Sequence, residues 1–169
     1  MAGLRVLGID CSTTSTGFGV VESDGHCCRA LEYGVIRAPR RLTLAQRLKH
    51  IHQEIEKLLK RFAPDAVAME EVFLASNVKS AMQMSQVRGV VLLAAERAHR
   101  PVRAYSALTV KSSVVGYGRA EKHQVQHMVQ RLLALPEPPE PPDASDALAV
   151  AICHIHNEHA QRKLPSLGA

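Results

Sequence analysis

Acidic side chains stand at three places in the chain where a predicted element begins or ends. Asp10 closes one apolar run, and Glu70 and Glu71 close another. Asp143 and Asp146 are spaced i, i+3 at the start of a predicted helix, so their carboxylates project from one helix face. Strands disfavour Asp, so an acid that closes an apolar run is either a turn residue or a site residue. The repetition of this feature favours a site.

Acids that converge in space repel one another unless a cation joins them. Carboxylate oxygens are hard ligands that select Mg²⁺ or Mn²⁺, and two such ions suit in-line cleavage of a phosphodiester. Taken alone, Asp143 and Asp146 are also typical of an ordinary helix start. Together with Asp10 and Glu70 they predict a site for two divalent ions. The pattern does not choose between Glu70 and Glu71, because a central strand is buried on both faces.

Hydrophobic periodicity predicts the elements that position these acids. The predicted strands are Leu4–Asp10, Thr16–Val21, Leu31–Arg37, Ala66–Glu70 and Val102–Tyr105. The predicted helices are Leu44–Phe62, Asn77–His99, Ala120–Leu133 and Asp143–His159. A proline-rich linker at 136–142 cannot be helical and precedes the last helix.

The order of the elements predicts an α/β fold with a mixed five-stranded sheet flanked by helices. Short connections make strands one to three antiparallel, and helical crossovers make strands four and five parallel to strand one. Asp10 and Glu70 are then expected at the same edge of the sheet. We expect one domain over residues 1–160 and a disordered tail over 161–169.

The segment Gly89–Ala95 is apolar on every side of its predicted helix. Such a helix must be covered on two sides, and in so small a domain we expect the second cover to be another copy of the chain. The sequence therefore predicts a symmetric homodimer.

Composition indicates a globular protein that works inside the cell. No apolar run approaches the roughly 20 residues needed to cross a bilayer, so we expect a cytoplasmic protein with no membrane partner. The four cysteines lack paired Cys-x-x-Cys spacing, and His123 and His127 lack a third ligand, so no zinc site is expected. The net charge of +5 suits a polyanionic partner. Basic residues crowd between Arg37 and Arg61, a run that taken alone is interpreted as a solvated helix face.

An ordered series of motifs extends over residues 4 to 156 and resembles the bacterial RuvC family of Holliday-junction nucleases. The motifs are Gly8-Ile9-Asp10, Thr16-Gly17-Phe18-Gly19-Val20, Met69-Glu70-Glu71-Val72-Phe73, Val114-Val115-Gly116-Tyr117-Gly118, Ala120-Glu121-Lys122, Gln124-Val125-Gln126-His127-Met128-Val129 and Asp143-Ala144-Ser145-Asp146-Ala147-Leu148-Ala149. Each motif is weak alone, but their order and spacing are specific.

The resemblance implies an RNase H-like fold, a homodimer and cleavage of four-way DNA junctions by paired, metal-dependent nicks. It implies four catalytic and metal-binding carboxylates, at Asp10, Glu70, Asp143 and Asp146, and so prefers Glu70 to Glu71. It also implies DNA contacts from Phe73, Lys111 and Lys122. The branch-migration proteins RuvA and RuvB are the partners that the resemblance implies.

Two departures from the family pattern lie beside these acids. Cys11-Ser12-Thr13 replaces the usual Pro-Gly-Ser, and Glu71 replaces the usual Gln. Either change is expected to bear on metal preference.

Other functions remain open on the sequence alone. Tyr105 or Tyr117 as a covalent nucleophile is one alternative, and a phosphate loop at residues 8–17 of an actin-like kinase or ATPase is another. A non-catalytic junction-binding protein and a nuclease for RNA–DNA hybrids or pre-ribosomal RNA are the others.

Overall fold

The computed structural model describes residues 3–72 and 78–163 as five strands and five helices. In chain order these are β1 (Leu4–Asp10), β2 (Ser15–Ser23), β3 (Cys28–Arg37), α1 (Leu44–Phe62), β4 (Ala66–Glu70), α2 (Val78–Arg97), β5 (Val102–Tyr105), α3 (Ala107–Val115), α4 (Lys122–Leu132) and α5 (Pro142–Lys163). Among the helices described, none is both long enough and apolar enough to span a membrane.

One mixed sheet forms the centre of the molecule, with the strand order β3-β2-β1-β4-β5. β1 is antiparallel to β2 and parallel to β4, and β4 is parallel to β5. Ile9 pairs with Met69, so Asp10 and Glu70, one residue further on, end their strands side by side. This confirms the predicted topology and the predicted meeting of the two strand ends.

Alternate residues of β1 face two hydrophobic layers, as the period of a strand requires. Leu7 and Ile9 pack in the layer that contains the buried faces of α1 and α2. Val6 faces the opposite layer, which contains most of α5 together with residues of α3 and α4. The sheet is therefore covered on both faces, and α5 is buried between the sheet and two shorter helices.

Glycines let α5 lie directly against the sheet. A Cβ added at Gly8 would stand 2.0 Å from the carbonyl oxygen of Ala147, and one added at Gly17 would stand 2.0 Å from that of Asp143. No side chain fits in either gap. The close contact sets the height of α5 above β1 and β2, and so the position of the acids in its first turn.

Several predicted boundaries are shifted. β2 and β3 are longer than predicted because their hairpin continues to the pair Ser23 and Cys28. α5 begins at Pro142, the last residue of the predicted linker, because proline fits the first position of a helix. It continues to Lys163, past the predicted end at His159, since Gln, Arg and Lys are good helix formers and cations suit a helix C-terminus. The helix thus includes the first three residues of the predicted tail, and 164–169 lie outside the described residues.

α3 is a helix that the sequence pattern did not predict. Its β-branched residues have low helix propensity, which hides the helix from pattern reading. The ends carry ordinary signals, however: the Ser106 side chain accepts the backbone N–H of Thr109 at 3.1 Å, and Gly116 ends the helix with a φ of 96°. This missed helix carries Lys111.

Candidate active site

Three aspartates from two elements meet at the carboxyl edge of the sheet. One carboxylate oxygen from each of Asp10, Asp143 and Asp146 lies within 4.8 Å of the other two. Asp10 is the last residue of β1, and Asp143 and Asp146 come from the first turns of α5, which packs on β1 and β2. Glu70 ends the neighbouring strand β4 at the same edge. Residues that are far apart in the sequence are thus brought together.

Asp10 is the most perturbed of these acids. Burial is the largest cause that raises its pKa, followed by repulsion from Asp146, Asp143 and Glu70, while Lys122 acts in the opposite direction. The result is a pKa of about 7. The protein therefore holds this carboxylate where its charge is unfavourable without a cation, which is characteristic of functional sites.

Glu70 shares this environment. The side chain is exposed overall at the end of β4, yet the surrounding protein removes part of the hydration of its carboxyl group. This desolvation raises the pKa of Glu70, repulsion from Asp146 raises it further, and Lys111 and Lys122 oppose the shift. Glu70 is therefore electrostatically part of the cluster.

Two lysines predicted from the sequence lie beside the acids. The Nζ of Lys122 contacts Asp146 Oδ2 at 2.8 Å, and this hydrogen bond is the main reason that the pKa of Lys122 is raised. Lys111 lies near enough to Glu70 to oppose its pKa shift. Positive charge thus borders the acids on the side of α3 and α4.

Two contacts that the sequence analysis did not identify position the acids. Ser15 Oγ donates to Asp143 Oδ2 at 2.7 Å, and Arg88 Nη1 of α2 donates to the backbone oxygen of Glu70 at 3.1 Å. The Ser15 contact joins residues 128 positions apart, so no local pattern reveals it. It follows only from the placement of α5 across the start of β2.

Comparison with known proteins decides the family. The family model described as "Crossover junction endodeoxyribonuclease RuvC" matches residues 6–154. The chain belongs to the RuvC family. It is accordingly a nuclease, and its mixed sheet with flanking helices is an RNase H-like fold.

Individual relatives match over nearly their whole length. The RuvC of Acidobacterium capsulatum is 53% identical, covering 94% of this chain and 95% of the relative, and that of Syntrophomonas wolfei is 49% identical over 91% and 90%. A solved structure, T. thermophilus RuvC in complex with Holliday junction substrate, is 36% identical with a TM-score of 0.90. That match covers 94% of this chain and 96% of the other.

Cys11 stands where the RuvC pattern usually has proline. It is buried, and burial followed by the proximity of Asp10 raises the pKa of its thiol to about 12. The thiol is therefore protonated at neutral pH and packs as a small apolar group.

The side chain and the backbone of Tyr105 both form hydrogen bonds within this RuvC-family chain. Its hydroxyl lies 2.6 Å from Nδ1 of the buried His154, and burial raises the pKa of the phenol. The backbone oxygen of Tyr105 accepts the N–H of Glu71 at 2.8 Å, which fixes the chain just after Glu70. These contacts favour positioning over the covalent chemistry considered from the sequence.

Phe73, the predicted aromatic contact to DNA, lies outside the described residues. Glu71 is exposed beside Glu70.

Proposed function

We propose that this chain resolves four-way DNA junctions by two symmetric nicks, hydrolysing phosphodiesters to leave 5′-phosphate and 3′-hydroxyl ends. The observation that carries the proposal is the convergence of Asp10, Asp143 and Asp146 within 4.8 Å at the sheet edge, next to Glu70. The similarity to a RuvC solved with its Holliday junction substrate supplies the substrate class.

The donor set fits divalent cations. We assign Asp10, Glu70, Asp143 and Asp146 as ligands of two Mg²⁺ or Mn²⁺ ions, because the donors are all hard oxygens and because repulsion among them contributes to the raised pKa of Asp10. When bound, the ions would activate a water molecule and stabilise the leaving 3′ oxygen. The protein's own contribution is to hold the carboxylates in a fixed arrangement before the substrate arrives.

The lysines and Phe73 are assigned to the DNA. Lys122, already within hydrogen-bond distance of Asp146, and Lys111, close to Glu70, place positive charge where a scissile phosphate must lie. Each is expected to contact a phosphate and to contribute to the salt dependence of binding. By its place in the family motif, Phe73 is assigned to the bases at the junction.

A homodimer would supply the two active sites that symmetric nicking requires. α2 exposes large apolar side chains, with Met82 61% and Leu93 55% exposed, although the helix packs well on its other side. Burying this face against a second copy would place two equivalent sites about a two-fold axis. Family membership supports two further proposals, that RuvA and RuvB are partners and that the protein works in the cytoplasm.

The test is cleavage of end-labelled substrates with a matched pair of variants. Wild-type protein with Mg²⁺ or Mn²⁺ should nick a synthetic four-way junction symmetrically, with ligatable products, and should leave a linear duplex and an RNA–DNA hybrid largely uncut. Glu70→Gln should lose at least about 100-fold in rate, because a metal ligand is removed. Glu71→Gln removes the same charge one residue away and should stay within a few fold of wild type.

Junction binding without nicking in either metal would contradict the proposal and favour a non-catalytic binding protein. Equal rates for the two Gln variants would contradict the assignment of Glu70. Preferred cleavage of the hybrid would point to a ribonuclease of the same fold.

A further inference from the structure

The segment that joins β3 to α1 is fixed beside the acidic cluster. Arg37, the last residue of β3, pairs with Ser15 of β2, and the hydroxyl of Ser15 contacts Asp143. The next backbone N–H, that of Ala38, donates to the oxygen of Thr14 at 3.0 Å. The segment therefore starts one strand away from a residue that contacts the site.

A tight turn presents Arg40 and Arg41 at this edge. The N–H of Leu42 donates to the oxygen of Pro39 at 3.0 Å, so the two arginines are the central residues of the turn, and both are exposed. Ala38 is buried on one side of the turn. On the other side Thr43 begins α1 in a reciprocal capping box with Gln46. With both ends anchored, the two cations are presented with little backbone entropy left to lose.

Arg47 contacts the loop that follows Asp10. Arg47, one turn into α1, approaches Thr13 Oγ1 at 3.3 Å, and its buried Nε has no hydrogen-bond partner among the described residues. In the part of the chain that the structure describes, this guanidinium has no carboxylate partner either.

The basic run between Arg37 and Arg61 is therefore not uniform. In its later part, Lys57 contacts Glu54 at 2.6 Å and Arg61 contacts Glu32 at 2.8 Å, whereas Lys60 forms no ion pair within the described residues. Within residues 3–72 and 78–163, no carboxylate forms an ion pair with Arg37, Arg40 or Arg41. The two arginines of the turn therefore keep their full charge available to a polyanion, and unlike Lys60 they lie on the β3 side of the acids.

We propose that Arg40 and Arg41 bind the sugar–phosphate backbone of junction DNA on the β3 side of the active site. This inference rests on the proposed junction cleavage and adds a second basic surface, across the acids from Lys111 and Lys122. Exposed guanidinium groups on a rigid turn suit phosphate oxygens, which they can bind in a bidentate manner. The contact would position the DNA without reading its sequence.

The experiment measures junction affinity over a series of salt concentrations, in an Asp10→Asn background so that the DNA stays intact. Arg40→Gln/Arg41→Gln should weaken binding and reduce the slope of log affinity against log salt by about 0.9 for each phosphate that is no longer neutralised. The control is Lys60→Gln/Arg100→Gln, which removes the same charge from the groove between the ends of α1 and α2, at the opposite edge of the sheet. For this control, the slope of log affinity against log salt should stay at the parental value.

Thermal unfolding should be similar in both double variants. A parental slope for the Arg40/Arg41 variant, or an equal decrease in both variants, would overturn the proposal, because the effect would then be absent or due to net charge alone. A parent that binds no junction would instead contradict the proposed function.

Discussion

Ser15 offers a test of how individual residues prepare the acidic cluster. Its hydroxyl donates to Oδ2 of Asp143 at 2.7 Å, which orients this carboxylate. Ser15→Ala should lower Mn²⁺ affinity by about 10-fold, as the removal of a residue that orients a metal ligand usually does. Calorimetric titration without DNA measures this directly, and Ser15→Thr, which keeps a hydroxyl, should retain most of the affinity. Unchanged Mn²⁺ binding by the Ala variant would show that the contact is incidental.

The raised pKa of Asp10 predicts how stability depends on pH. The pKa is about 7 in the folded protein against an ordinary value of 3.8, so between these values the unfolded chain loses its proton first. Without metal, the native state is therefore progressively destabilised as pH rises from about 4 to about 7, and stays so above. At pH 8 in EDTA, Asp10→Asn should be more stable than wild type by about 2 to 4 kcal/mol, a gain that fades towards pH 4.

Urea denaturation across this pH range measures the difference. Mn²⁺ should stabilise wild type and leave Asp10→Asn nearly unchanged. A useful contrast is Asp24, whose pKa is lowered by the backbone N–H groups of Cys27 and His26. Its ionised form stabilises the folded protein above the ordinary pKa, and that stabilisation is lost as pH falls. Asp24→Asn should therefore lower the free energy of unfolding at pH 8, whereas Asp10→Asn should raise it. A wild-type protein more stable at pH 8 than Asp10→Asn in EDTA would contradict the argument.

At the residue scale, the sequence indicated which acids are candidate site residues but not which side chains contact them. The meeting of Asp10 with the acids that end β4 was predictable because the ends of parallel strands meet at one edge, whereas the choice of Glu70 over Glu71 came from the family resemblance. The bond between Ser15 and Asp143 was not, since it depends on how closely a helix from the end of the chain approaches β2. The roles of the acids remain predictions.

The packing of α5 on the sheet is the element-scale feature on which the site depends. A Cβ at Gly8 would meet the Ala147 carbonyl oxygen at 2.0 Å, and this backbone atom cannot turn aside as a side chain could. Gly8→Ala should therefore push α5 outward, with a loss of about 3 kcal/mol or more in the free energy of unfolding and weaker metal binding. Urea denaturation and Mn²⁺ titration measure the two effects.

Gly34→Ala is the matched control for that prediction. It lies in β3, where an added Cβ would meet only the ring of Phe18 at 3.3 Å. That ring is partly exposed and can shift, so the cost should stay below about 1 kcal/mol. Similar losses in the free energy of unfolding at both positions would show that the close contact between Gly8 and α5 does not cause the effect.

Elements with a strong hydrophobic periodicity were predictable, whereas an element that is stabilised mainly by its tertiary contacts was not. α1 and all five strands follow from apolar patterns and turn signals. α3 was missed because its β-branched residues favour other conformations, and it is a helix because Val110 and Val114 are buried against the layer that contains α5. Its caps at Ser106 and Gly116 were the signal available in the sequence.

On the scale of the whole molecule, one side of α2 exposes large apolar side chains. The sequence indicated a helix apolar all round, and the structure buries Val87 and Val91 while leaving Met82 and Leu93 exposed. The described residues of one chain therefore cover only one side of this helix, and a helix that is apolar all round needs cover on two. A second copy would provide the other and, with it, the second active site.

Leu93→Glu tests this assembly. A charge on the 55% exposed Leu93 should not disturb the monomer fold, but it would have to be desolvated in a dimer, so the variant should sediment as a monomer at micromolar concentration. Leu108→Glu is the control, because Leu108 is 63% exposed on α3, away from α2, and its variant should sediment like wild type. The monomeric variant should also nick junctions on one strand at a time instead of in symmetric pairs. A monomeric wild type would contradict the dimer itself, whereas a dimeric Leu93→Glu would place the interface elsewhere on the molecule.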